Sequence, residues 1–117
     1  MSEPNEMQHW LQQLATAYKP LSEAVRLARL LDHQRQAVLA VQTQLAELED
    51  GCTSHAKAET VARASPEYMD HIAKLAEAEG NLAAVRARIE YCKLQFECAR
   101  SIAANIRAEL SALPGIK

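Results

Sequence analysis

The chain has 117 residues, 49% of them apolar, but only five aromatics: Trp10, Tyr18, Tyr68, Tyr91 and Phe96. That length fits one domain, and alanine supplies much of the apolar count, which excludes a thick globular core and favours thin helix-on-helix packing. The net charge of −2 gives no global reason for a polyanion partner. The charge is nonetheless uneven, since residues 45–79 carry eight acids and three bases while residues 19–44 and 80–113 together carry nine bases and five acids.

The first predicted element runs from about Pro4 to Lys19. Met7, Leu11, Leu14, Tyr18 and Leu21 recur at gaps of four and three, which places them on one helical face. Pro20 lacks a backbone donor and clashes with the preceding turn, so the helix breaks or kinks there. A second helix is expected over about 21–49. In it Ala24, Leu27, Leu31, Gln34, Val38, Val41, Leu45 and Leu48 alternate gaps of three and four, a heptad seam whose one polar member, Gln34, sets register. Glu49-Asp50-Gly51 ends that helix, with Gly51 free to adopt the left-handed conformation of a cap.

Residues 50–65 read as a turn region with a short helical piece across Ala56–Ala64. Ser65-Pro66-Glu67 then supplies an N-cap, a proline in the first turn and an acid at the positive helix end. From there one helix is expected over about 66–112, roughly 70 Å long at 1.5 Å per residue. Its seam is Leu75, Ala78, Leu82, Val85, Ile89, Cys92, Phe96, Ala99, Ala103, Ile106, Leu110 and Leu113, and Gly80 is the place for a bend. The expected fold is all-α: a single long antiparallel helical hairpin with a kinked N-terminal arm, oligomeric. Oligomerisation follows from a second apolar stripe on the last helix, formed by Ala84, Ala87, Tyr91, Leu94 and Cys98 with Ile102 beside it. Tyr91, Leu94, Cys98 and Ile102 are the expected interface; the plainer reading is that these positions are tolerated surface residues.

Arg86, Lys93, Arg100 and Arg107 lie seven residues apart along one edge of this seam, with Arg88 nearby. A basic line about 30 Å long tracks a phosphate backbone or an acidic partner. Glu90 and Glu97 stand three or four residues from Arg86, Lys93 and Arg100, so a ladder of intrahelical ion pairs is the competing reading. Cys52 and His55 form one Cys-x-x-His, too few ligands for zinc, and loop surface is the better reading. The carboxylates Glu47/Glu49 and Glu77/Glu79 sit two apart and diverge on a helix, and no phosphate loop or nucleophile elbow occurs, so no catalytic residue, metal or cofactor is expected. Three cysteines without CxxC spacing, no leader and no apolar run near 18 residues point to a cytosolic chain with reduced thiols and no membrane partner.

From Lys57 onward the text resembles small helical proteins that tailed phages and prophages encode beside recombination genes, and more distantly UvsY-type recombination mediators. The likeness rests on Ser65-Pro66-Glu67-Tyr68, Glu77-Ala78-Glu79 and the closing Arg100…Ala103…Arg107-Ala108-Glu109. It implies an oligomeric accessory protein in a bacterial host cell that contacts single-stranded DNA or a recombinase, with Arg86–Arg107 as the DNA edge. Two rival readings stand beside it. One is an inhibitor of a host nuclease or defence complex, whose acidic tip (Glu47, Glu49, Asp50, Glu59, Glu67, Asp70) imitates nucleic acid; the other is a coiled-coil adaptor or chaperone without nucleic acid.

Overall fold

The computed structural model describes the backbone of residues 3–49, 51 and 54–113, so Asp50 and Cys52, named above, lie outside the described residues. The protein is all-helical: α1 (Glu3–Tyr18), α2 (Leu21–Glu49), α3 (His55–Arg63) and α4 (Pro66–Ala112), with no strand among the described residues. Pro20 sits in the turn between α1 and α2, and Gly51 takes φ +66 after α2. Local chemistry sets the next boundaries. Ser54 caps α3 by accepting from Lys57 N at 3.1 Å. Ser65 Oγ accepts from Tyr68 N at 3.2 Å and donates to Ala62 O at 2.7 Å, so one hydroxyl closes α3 and opens α4. α4 then continues through Gly80 without interruption.

Contacts divide the chain into two compact units, residues 22–83 and residues 1–21 with 84–117, and α4 contributes a part to each. In the first unit α2 and the start of α4 run in opposite directions: Leu27 and Leu31 adjoin Lys74, Ala78 and Asn81, whereas Val38 and Leu39 pack near Tyr68 and Ile72. Ala62 of α3 packs in one cluster with Leu39 and Tyr68, and both Ala58 and Ala62 are almost completely buried, as only a small side chain permits so close an approach. His71 Nε2 donates to the Leu31 carbonyl at 2.7 Å, which satisfies a buried ring nitrogen. Glu23 on the solvent side of α2 has its carboxyl held below the usual range by a hydrogen bond and the charge of Arg26.

The other unit is thinner. α1 lies against the later part of α4, where Ala17, Ile89 and Cys92 form a small core ringed by Trp10, Leu14, Leu21 and Val85. Trp10 meets the Tyr91 ring edge-on, with centroids 5.7 Å apart.

The α4 seam has the expected spacing: Leu75, Ala78, Ile89, Cys92, Ala99 and Ala103 are buried, and Leu82, Val85, Phe96 and Ile106 half-buried. Leu110 and Leu113 remain exposed. The other two faces require correction. α1 turns inward not on 7, 11, 14 and 18 but on Met7, Trp10, Leu14 and Ala17, leaving Leu11 and Tyr18 exposed. The indole has the most area to bury, and Ala17 allows close approach to Ile89 and Cys92. α2 buries Ala24, Ala28, Leu39, Thr43 and Ala46, while Leu27, Val41, Leu45 and Leu48 of the expected seam are exposed. The reason is α3, whose Ala62 occupies the Leu39 side and draws that face inward.

Candidate functional site

Every residue of the expected basic edge falls on the α4 part of the α1-containing unit. Arg86, Arg88, Lys93, Arg100 and Arg107 are all exposed. A helix repeats its facing approximately every seven residues, so Arg86, Lys93, Arg100 and Arg107 make one line about 30 Å long. Arg88 stands apart from it. Its Nη2 donates to Gln13 Oε1 at 3.0 Å and its guanidinium lies 5.5 Å from the Tyr91 ring centre, so it ties α1 to α4.

The ion-pair ladder that the spacing allows is mostly not formed. One rung is present, Arg100 with Glu97, whose Nε–Oε1 distance is 3.2 Å. Lys93 instead places its ammonium 6.0 Å from the Tyr18 ring centre. Arg107 flanks an apolar groove of about 560 Å³ lined by Met7, Gln8, Leu11, Phe96, Ala103 and Ile106. No carboxylate lies within ion-pair distance of Arg86, Lys93 or Arg107 among the described residues. The edge thus presents cations beside the Tyr18 ring and an apolar groove.

The second stripe also stands open on this unit. Tyr91, Leu94, Ile102 and Cys98 are exposed, Leu94 by 62%, and Tyr91 alone has a partner in Trp10. On the other unit, three of the six acids of the expected tip have partners within the chain: Glu47 lies 3.8 Å from His55, Glu59 pairs with Arg63 at 3.5 Å and Asp70 with Lys74 at 3.2 Å.

Two groups escaped the sequence reading. His71 belongs to the α4 seam, and the signal was available, because Tyr68, His71 and Leu75 continue its three-and-four alternation. Trp10 had no such signal, since the choice between the 7–11–14 and 7–10–14 faces is made by contact with Tyr91. Among the described residues no group of three or more His, Cys, Asp or Glu side chains stands together as a metal site, and no helix is long and apolar enough to cross a membrane.

Comparison with protein-family models, curated proteins and solved structures finds no match.

Proposed function

We propose that the protein is a non-enzymatic helical-hairpin scaffold of DNA recombination, of the phage accessory type, that assembles through the C-terminal half of α4 and contacts single-stranded DNA along Arg86, Lys93, Arg100 and Arg107. The observation that carries the reading is the scarcity of carboxylate partners on this edge, where only Arg100 has one. Unpaired cations spaced along a line release counterions when a phosphate backbone replaces salt, whereas a self-neutralised ladder releases few. The nuclease-inhibitor reading has less support, because two of the acids needed to imitate nucleic acid, Glu59 and Asp70, are engaged with Arg63 and Lys74. Assembly is supported by the exposed Leu94 and Ile102.

The test is fluorescence anisotropy of a labelled oligothymidylate against the purified chain across a salt series. Four phosphate contacts on a single strand give a slope of log affinity against log salt of about −3. Arg86→Glu/Arg107→Glu should abolish binding at low salt with the helical content unchanged. Absence of binding by the unaltered chain at low salt, or equal binding by the double variant, rejects the DNA role and leaves a protein-binding adaptor.

A further inference from the structure

Gly80 is a glycine that nothing around it requires. Its backbone is ordinary helix, and a Cβ there would meet no atom within 4 Å. In such a place glycine only weakens the helix, because it loses more freedom on ordering than any other residue. No other glycine or proline lies beyond the first turn of a described helix. The chain passes between its two compact units at two places, residues 21–22 and 83–84. Gly80 stands about one turn before the second crossing, and Pro20 stands directly beside the first. Each crossing thus carries one of the two residue types that most disfavour a continuous helix.

Burial thins at the same two places. Tyr68, His71, Leu75 and Ala78 give α4 a buried side chain every three or four residues. From Glu79 to Arg88 there is none, and burial resumes at Ile89. Over that interval only Leu82 and Val85 are half-buried. Between Ala17 and Ala24 the other crossing has Leu21 alone, again half-buried. Segments with few buried side chains are the ones that open at least cost.

We infer that residues 19–21 and 79–84 form a two-point hinge about which the two units reorient in solution. At the first point α1 ends in a turn, where Lys19 N donates to Thr16 O at 3.2 Å and Pro20 offers no donor to continue the ladder. At the second point α4 stays helical and flexes, since a helix yields first where propensity is lowest and packing thinnest. Hinge motions of this kind run on the order of microseconds to milliseconds. The motion turns the line from Arg86 to Arg107 independently of the other unit, and the hinge stands whether or not that line meets DNA.

Distance distributions between spin labels, measured by double electron–electron resonance, read the hinge in the full chain. Labels at Gln12→Cys/Gln36→Cys report across the units. Labels at Gln36→Cys/Glu77→Cys and at Gln12→Cys/Ser101→Cys report within each. All three pairs are placed in a Cys52→Ser/Cys98→Ser chain, in which the remaining Cys92 is fully buried. Dilution in unlabelled chain leaves only distances within one copy. The pair across the units should give a distribution about twice as wide as either pair within one. Gly80→Ala should narrow it and Asn81→Gly should widen it, with circular dichroism unaltered. Native hydrogen exchange of the amides over 79–84 should slow about fivefold in Gly80→Ala, as the difference in helix propensity requires. A distribution across the units no wider than those within them overturns the hinge. So does a width that Gly80→Ala and Asn81→Gly both leave unchanged.

Discussion

His71 shows how one side chain carries structure across helices. It occupies a seam position between Tyr68 and Leu75, where a polar ring is tolerated because Nε2 reaches the Leu31 carbonyl at 2.7 Å. Replacing it with alanine removes the hydrogen bond and leaves a gap between α2 and α4. His71→Ala should cost about 1–3 kcal/mol in urea unfolding, and an unchanged midpoint would show that the contact is idle. Sequence alone places His71 on the inward face by counting, yet the carbonyl it meets lies 40 residues away and no spacing rule names it.

At the scale of the helix, the two described glycines, Gly51 and Gly80, have opposite roles. Gly51 stands at φ +66, where a Cβ is strained even though nothing lies within 4 Å. Gly80 sits inside α4 with ordinary helical backbone and equally open surroundings. Gly80→Ala should therefore stabilise by about 0.5–1 kcal/mol through lost freedom of the unfolded chain, and Gly51→Ala should destabilise by about 1 kcal/mol. Thermal unfolding of the pair checks both signs. The start of α4 was legible in Ser65-Pro66-Glu67 because capping is a matter of neighbouring backbone donors. The inward face of α2 was not, because two apolar faces share one helix and their periodicities are equally good.

For the whole molecule, the decisive quantity is apolar surface left uncovered. Fourteen of the described large apolar side chains are exposed, whereas the buried core is mainly alanine with Leu39, Tyr68, Leu75, Ile89 and Cys92. Helices packed through alanine approach closely but bury little area, and the leucines beside them stay half in water. Cysteine reactivity reads this directly. Cys92 is fully buried and should resist alkylation until unfolding, while Cys98 is exposed on the α4 stripe. If that stripe joins copies, the native alkylation rate at Cys98, followed by peptide mass mapping, should fall as protein concentration rises. A rate independent of concentration rejects the α4 interface.

The basic line on α4 and its buried seam were determined by sequence alone, because a regular helix converts residue spacing into facing without reference to anything distant. Tertiary structure alone decided which faces of α1 and α2 turn inward. Those choices depend on where Trp10 and Ala62 come to rest in space, and a period of three and four is the same whichever side of the helix is covered.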